Sequence, residues 1–248
     1  MERFGNRTEK TRLPVDLSED ESQQRFIKRT GVVLKRGNYM EGDAAVLLFL
    51  KDTGTTWVYV PGALRGSNRF GGALEPFVWG RYQLYQSKRR TYLKEIEVEE
   101  DFWGLRKRPK SVTQAVQWTL LLERYLIGGY PYNDLVALFY WALKALQSGV
   151  SPEVVNARFL WRWLYSWGIA PDLLRCSKCG RRLDGKAAWV DNTFVCPQCS
   201  PLSHRYEIDA FADYALSKSF MPENMTDKLK EQVKPLQGLF VKNLDENR

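Results

Sequence analysis

The N-terminal part of the chain carries short apolar stretches of strand length, separated by turn residues. Residues 44–50 form a continuous apolar run, and residues 77–85 alternate apolar with polar side chains. Similar stretches at residues 30–35, 56–60 and 91–98 are rich in the β-branched and aromatic residues that favour strands. Five short strands at this spacing predict a small β-barrel.

The middle of the chain changes to a helical pattern. From Ser111 to Leu126 apolar residues recur three and four positions apart, and the spacing of Ser111 and Gln114 predicts a capping box at the start of this helix. Two further helices are predicted over residues 134–147 and 152–167. We expect the aromatic residues of the third helix to pack in a core and not to stack on bases.

These patterns together predict an α+β protein, in which a five-stranded barrel is followed by an α-helical domain. The predicted domains are residues 26–105 for the barrel and residues 106–248 for the helical part, where residues 208–220 and 227–240 give the last two helices. Residues 1–25 are polar and are predicted to form a disordered or loosely attached extension.

All four cysteines lie in one short segment, as two Cys-x-x-Cys pairs separated by 16 residues. This spacing is typical of a four-thiolate zinc site, because zinc takes four ligands in a tetrahedron and binds thiolates well. The chain is therefore predicted to hold one structural zinc ion in a module at residues 176–199. Its predicted ligands are Cys176, Cys179, Cys196 and Cys199.

Two disulfides or four buried thiols are the alternatives for the same cysteines. Disulfides are typical of small secreted proteins, whereas this chain has 248 residues and does not open with the apolar stretch of a secretion signal. Four cysteines would fill the zinc coordination sphere. His204, the single histidine of the chain, is therefore predicted to be a surface or packing residue and not a ligand.

The excess of positive charge is concentrated in one part of the chain. The net charge is +8, and residues 28–110 alone contain 16 Lys and Arg against 9 Asp and Glu. Such a segment is typical of proteins that bind a polyanion, and a merely solvated basic surface is the alternative. The connection at residues 61–76 places arginines among glycine and serine residues, a composition suited to a phosphate backbone.

Other function classes find little support in the sequence. An apolar run of about 18 residues is absent, so no membrane span is expected. Residues 180–186 fit most of a phosphate-binding loop, but Ala187 stands where Ser or Thr is required. A zinc deaminase needs a His-x-Glu ahead of its cysteine pair, which this chain lacks. The protein is therefore predicted not to be an enzyme, with no catalytic residues.

The order of motifs along residues 27–240 resembles the RecO family of bacterial recombination mediators. Residues 30–43 look like the opening strand and Glu-x-Asp turn of that family, residues 61–70 like its basic loop, and residues 74–77 like the entry to its next strand. Residues 158–180 are similar to its helix, linker and first cysteine pair. The zinc spacing alone occurs in many families, but the ordered set is specific.

This resemblance implies an N-terminal OB-fold, a helical domain and an inserted zinc module. It implies binding of single- and double-stranded DNA, annealing of complementary strands, and help in loading recombinase onto DNA coated by single-strand-binding protein during DNA repair. The implied protein partners are RecR and the acidic C-terminal tail of the coating protein, and the implied location is the bacterial cytoplasm, at the nucleoid. A zinc-ribbon adaptor that binds proteins, with weak or no DNA binding, is the alternative function.

The candidate contacts for these partners are basic residues. In the loop at residues 61–70, Pro61, Leu64, Gly66 and Asn68 dilute the basic character of the family's loop, and we expect cations elsewhere to compensate. The candidate DNA contacts are Lys35, Arg36, Arg65, Arg69, Arg81, Lys88, Arg89, Arg90, Arg106, Lys107, Arg108 and Lys110. The candidate contacts for the acidic tail are Arg158 and Arg162.

Overall fold

The computed structural model of the chain describes residues 26–40, 42–63, 70–221 and 226–247. The predicted extension at residues 1–25 and the predicted DNA contacts Arg65 and Arg69 lie outside these ranges. Within the described part, no helix is both long enough and apolar enough to cross a membrane.

Five strands form the N-terminal part, and each corresponds to one of the five predicted strands with shifted ends. They are β1 (Phe26–Met40), β2 (Asp43–Leu50), β3 (Gly54–Val60), β4 (Trp79–Gln86) and β5 (Thr91–Glu100). They close into a barrel in the order β1-β2-β3-β5-β4. Neighbouring strands are antiparallel except β3 and β5, which meet in parallel where Tyr59 lies opposite Tyr92.

The continuous apolar run of β2 results from the burial of both faces of this strand. Val46 and Leu48 belong to the core inside the barrel. Leu47 and Phe49 alternate with them and belong to a second core, which the barrel shares with the helices. A strand that is buried on both faces needs an apolar side chain at nearly every position.

The helical part contains six helices among the described residues. They are α1 (Trp103–Arg106), α2 (Pro109–Tyr125), α3 (Asn133–Gln147), α4 (Pro152–Ser166), α5 (Asp209–Leu216) and α6 (Asp227–Glu246). The aromatic residues of α4 pack inside, as predicted: Phe159 and Trp163 are buried, and the Phe159 ring stacks on Trp118 of α2 with centroids 4.5 Å apart.

The predicted start of α2 is wrong. The helix begins at Pro109, two residues before the expected cap, and Ser111 is a buried residue of its first turn. Proline suits the first helical position because its fixed φ matches the helix and its missing N–H would have no partner there. This preference overrides the capping-box spacing of Ser111 and Gln114.

The cysteine module lies between α4 and α5 and is built on a small sheet. Its strands are β6 (Lys186–Val190), β7 (Thr193–Val195) and β8 (Tyr206–Glu207), in the order β7-β6-β8. The turn between β6 and β7 has Asp191 and Asn192 at positive φ, the conformation of a tight type I′ hairpin.

The turn between β2 and β3 fastens the barrel to the helical part. The Asp52 backbone N–H donates to the Asn133 side chain at 2.7 Å, and the Asn133 amide donates back to the Asp52 carboxylate at 2.8 Å. Gly54 lies so close to the Tyr130 carbonyl oxygen that a Cβ would overlap it. The barrel and the α2–α3 connection therefore hold a fixed relative position.

Candidate nucleic-acid groove and metal centre

The four cysteine sulfur atoms converge on one point. All four Sγ atoms lie within 4.8 Å of one another, and those of Cys179 and Cys196 are 3.8 Å apart. A zinc tetrahedron with Zn–S bonds of about 2.3 Å places its sulfurs about 3.8 Å apart. None of the four cysteines is joined in a disulfide. The donor set and its size therefore fit one metal ion of the zinc type.

Backbone hydrogen bonds hold the two cysteine pairs in this arrangement. The Gly180 N–H donates to the Cys176 carbonyl at 2.9 Å, and the Cys199 N–H donates to the Cys196 carbonyl at 3.0 Å. Gly180 has φ near +70°, which a residue with a Cβ adopts only under strain. His204 is exposed and is not one of the cluster's four residues, as expected from the sequence.

The surroundings give Cys176 and Cys199 different proton affinities. Burial raises the pKa of Cys176, but backbone N–H donors from Cys196, Cys179 and Lys178 lower it by more, to about 6. Hydrogen bonds to Cys179 and Cys196 raise the pKa of Cys199 to about 12. A bound cation would favour the thiolate form of Cys199 at neutral pH, because metal binding and deprotonation are linked.

A groove of about 550 Å³ lies on the barrel, on the opposite side of β3 from the barrel core. Ala45 of β2 with Trp57 and Tyr59 of β3 forms one side, and residues 86–91 form the other. The second side is the β4–β5 turn, which carries three successive exposed cations, Lys88, Arg89 and Arg90. We call this feature the β3 groove.

The β4–β5 turn is held in one conformation by Ser87. The Ser87 N–H donates to the Arg90 carbonyl at 2.9 Å, and the Ser87 hydroxyl donates to the same oxygen at 2.9 Å. The Ser87 hydroxyl oxygen also accepts from the Arg90 N–H at 3.0 Å. The three cations are therefore presented from a fixed turn and not from a loose loop.

The aromatic side of the groove was missed by sequence reasoning. Trp57 lines the groove and is 49 % exposed. Tyr59 is half-buried; its hydroxyl donates to Asp43, and its ring contacts Tyr92 with centroids 5.5 Å apart. The available signal was the alternation in β3, where Trp57 and Tyr59 share the face opposite buried Val58.

Three other predicted DNA contacts already pair with acidic side chains. Lys35 lies 2.9 Å from Glu123, and Arg36 lies 2.9 Å from Glu75. Arg81 of β4 lies 2.8 Å from Glu99 of β5 and is 3.6 Å from Glu97. Because these acids neutralise them locally, the three cations present less net positive field than the β4–β5 turn. Their contact with DNA stays a prediction.

The predicted contacts at residues 106–110 lie apart from the groove. The β4–β5 turn of the groove comes before the first residue of β5, and the basic run comes after the last residue of β5. A strand of ten residues spans up to about 30 Å. Arg106, Lys107, Arg108 and Lys110 are all exposed. Arg106 lies over the Trp103 ring at 5.6 Å and donates to the Pro76 carbonyl at 3.4 Å. The structure therefore does not bring the two basic groups together.

Arg158, the first predicted partner contact, is almost fully buried, and its contact with a partner stays a prediction. The residue is only 2 % exposed, and its guanidinium donates to Ser217 and to the Ser219 carbonyl while lying over the rings of Tyr214 and Phe220. Burial lowers the pKa of Arg158 to about 10. Its charge holds the segment after α5 in place and is not displayed to solvent.

Arg162, the second predicted partner contact, remains accessible. It is half-buried and donates to the Ser217 carbonyl at 2.9 Å. It lines a cavity of about 780 Å³ with Leu138, Trp141, Phe220 and other residues of α3 and of the segment after α5. Trp141 is 57 % exposed there. The lining of the cavity is largely apolar, and its other charged residues are Arg158, Lys218 and the acidic Asp134.

Comparison with known proteins gives the chain its family. The model of the recombination protein O N-terminal domain matches residues 25–102, and the model of the recombination protein O C-terminal domain matches residues 118–210. Together the two matches cover the barrel and most of the helical part, including the four cysteines.

Individual relatives agree with these matches. DNA repair protein RecO of an Exiguobacterium species is 30 % identical over 153 residues, or 62 % of this chain and 61 % of the relative. DNA repair protein RecO of Bacillus subtilis is 25 % identical over 174 residues, which are 69 % of this chain and 68 % of the relative.

A longer match shows that the similarity is not confined to one part. DNA repair protein RecO of Clostridium novyi is 23 % identical over 231 residues, which are 87 % of this chain and 88 % of the relative. The Exiguobacterium match, in contrast, spans about three fifths of that relative's length. On the two domain matches, the chain belongs to the recombination protein O (RecO) family.

Proposed function

We propose that this protein binds DNA in the β3 groove and acts in DNA repair and recombination. The observation that carries the proposal is the position of the groove, between the β2–β3 face and the β4–β5 turn. OB-folds bind oligonucleotides at this face and at this loop. The closed five-stranded barrel supports assigning that fold to residues 26–100.

The electrostatics of the β4–β5 turn support a phosphate ligand. Lys88 and Arg89 form no ion pair with an acid among the described residues, and Arg90 is exposed beside them. Each phosphate contact releases condensed counterions from DNA, which favours binding by clustered cations at low salt. Arginine adds a planar fork that matches two phosphate oxygens at once.

Family membership supports a finer proposal about the protein's task. We place it as a mediator that anneals complementary strands and helps to load recombinase onto DNA coated by single-strand-binding protein, with RecR as a partner and the bacterial nucleoid as the location. We further propose that it is not an enzyme. Relatives that carry the name DNA repair protein RecO support the pathway, whereas the individual activities remain our proposal.

The cavity beside Arg162 is our proposed site for the acidic tail of the coating protein. An acidic peptide needs cations for its carboxylates and apolar surface for its remaining side chains. The cavity supplies Arg162 and Lys218 at its edge, with Trp141 and Phe220 in its wall. We expect Arg162→Glu to lose the peptide while it keeps DNA binding. Undiminished peptide affinity in a titration would remove this site.

The four-cysteine cluster is proposed to bind one structural zinc ion. Four thiolates fill its coordination sphere and leave no open position for a substrate. Cys176 and Cys196 are buried beneath the surface of the module, and Cys179 is exposed. When bound, the ion would tie the two cysteine pairs together. The module lies apart in sequence from the barrel, so we assign it no direct role in DNA binding.

Affinity for a fluorescent oligonucleotide as a function of salt tests the proposed DNA site. In the variant Lys88→Ala/Arg89→Ala/Arg90→Ala, we expect weaker binding and a salt slope smaller by about 0.7 for each lost contact with a single strand. The matched control removes three exposed cations from the cysteine module, as Lys178→Ala/Arg181→Ala/Arg182→Ala.

The two variants carry the same change in net charge, so they separate a local effect from a general one. The proposal requires the control to bind almost as the native protein does. Equal losses in both variants would indicate diffuse electrostatic attraction. If the native protein binds neither single-stranded nor duplex DNA at moderate salt, the groove is not a DNA site. That result would support the alternative function, a zinc-ribbon adaptor that binds proteins.

A further inference from the structure

Trp57 is the feature of the β3 groove that phosphate binding does not explain. Its ring is 49 % exposed, although its partner in the register, Leu47 of β2, is buried. Lysine or arginine would serve phosphates better at this position, and a polar residue would be better solvated. A half-exposed aromatic ring in a cationic groove matches the surfaces on which unpaired bases stack.

We infer that Trp57 stacks on an unpaired base and makes the β3 groove select single-stranded over duplex DNA. The inference rests on the proposed DNA function and adds the strand type to it. Bases in a duplex are paired and stacked on one another, so their faces are closed to a protein ring, whereas phosphates are available in both forms. Stacking therefore adds affinity for single strands alone.

The neighbours of Trp57 explain why it carries this role and Tyr59 does not. Tyr59 is engaged by Asp43 through its hydroxyl, contacts Tyr92 edge to face, and lies 5.5 Å from the Arg90 guanidinium. The cation that lies over the Trp57 ring is Lys35, whose Nζ lies 5.8 Å from the ring centroid.

Lys35 also has a fixed position, because its Nζ lies 2.9 Å from a Glu123 carboxylate oxygen. Trp57 is also carried on a paired strand, with Leu47 opposite it in β2. Little conformational freedom of the backbone is therefore lost when a base stacks on the ring.

Trp103 provides a matched control within the same chain. It is 62 % exposed and also has an arginine over its ring, Arg106 at 5.6 Å. It lies outside the residues that line the groove, beyond the opposite end of β5. Removal of either indole takes away the same chemical group, so a difference between them reports on position alone.

The test measures the affinity of a fluorescent thymidine oligonucleotide of about 15 nucleotides and of a duplex of similar length, both over a range of salt. We expect Trp57→Ala to weaken single-strand binding by at least about fivefold and to leave duplex binding unchanged. Trp57→Phe should retain most of the affinity because it keeps an aromatic face, whereas Trp57→Leu should lose it. Trp103→Ala should bind both probes as the native protein does.

Two further readouts separate stacking from phosphate binding. Loss of a stacked ring should shift the affinity without changing its salt slope, since no counterion is released at the ring. An oligonucleotide that lacks bases but keeps its phosphates should bind the native protein and Trp57→Ala equally. The retained duplex affinity of Trp57→Ala serves as the check that the barrel is folded.

Three results would contradict the stacking role of Trp57. Equal weakening of single-strand and duplex binding by Trp57→Ala, a changed salt slope, or full single-strand affinity in Trp57→Leu would overturn it. Failure of the proposed function is distinguishable, because it would appear as unchanged binding in the Lys88/Arg89/Arg90 variant.

Discussion

At the scale of single residues, the same chemical type takes different roles according to what surrounds it. Arg158 is buried and donates hydrogen bonds to Ser217 and Ser219, whereas Arg89 is exposed in the β4–β5 turn. Both were predicted from the sequence as contacts for a ligand. Residue type identified both as cations, but it did not predict their burial, which depends on the packing of distant segments.

Asp209 gives a pH-dependent prediction at this scale. A hydrogen bond from Lys228, helped by one from Gln232, lowers the pKa of Asp209 to about 2, against an ordinary value of about 3.9. The folded state therefore gains stability from this carboxylate above pH 4, and the gain disappears as pH falls to about 2.

Asp209→Asn removes the titrating group and tests that expectation. Thermal unfolding of the native protein should show a steeper loss of stability between about pH 4 and pH 2 than unfolding of the variant. Parallel curves for the two proteins over this range would show that the carboxylate does not contribute as described. At neutral pH the variant should be the less stable of the two.

At the scale of elements, strands and helices follow the hydrophobic pattern, but the coverage of their faces does not. Leu47 and Trp57 lie opposite each other on β2 and β3. Leu47 is buried in the core shared with the helices, and Trp57 is half exposed in the groove. Alternation within a strand identifies the side chains on a face. The part of that face that the helices cover depends on how the barrel packs against the helical part. The local sequence pattern does not predict this packing.

The docking of the β2–β3 turn is tested by Gly54→Ala. A Cβ at this position meets the Tyr130 carbonyl oxygen, and φ is +72°, so overlap and backbone strain add. We expect the free energy of unfolding to fall by about 3 kcal/mol. Gly129→Ala is the control, since φ is +80° but its Cβ has nothing within 4 Å.

In the control, only the strain of the left-handed backbone should lower the free energy of unfolding, by about 1–2 kcal/mol. Chemical denaturation of the two variants measures both values. Equal losses would mean that the Tyr130 contact does not constrain the barrel against the helical part. A variant of Gly54 that unfolds in two separate steps would show that the two parts have become independent.

At the scale of the whole molecule, the proposed DNA site and the proposed structural metal site lie in different parts. The β3 groove belongs to the barrel, and the four cysteines belong to the module between α4 and α5. The cysteine spacing allowed the four-cysteine cluster to be predicted in full, because all four residues are close in sequence. The groove could be predicted only for Lys88, Arg89 and Arg90, because its aromatic side comes from a strand that is distant in the chain.

Removal of the metal tests this separation. We expect one zinc ion per chain by elemental analysis, and we expect Cys176→Ser to lose it and to unfold at a lower temperature. Oligonucleotide affinity measured below that temperature should stay within about twofold of the native value, since distant sites contribute independently. Loss of DNA binding in step with loss of zinc would place the module in the DNA site.

The position of bound DNA tests the central claim most directly. A photoreactive thymidine oligonucleotide is cross-linked to the native protein, and the modified peptides are identified by mass spectrometry. The account predicts adducts on the strand that carries Trp57 and on residues 86–91, the two sides of the β3 groove. Adducts confined to residues 103–110, to the cysteine module or to the helical part, with none on the barrel, would contradict it.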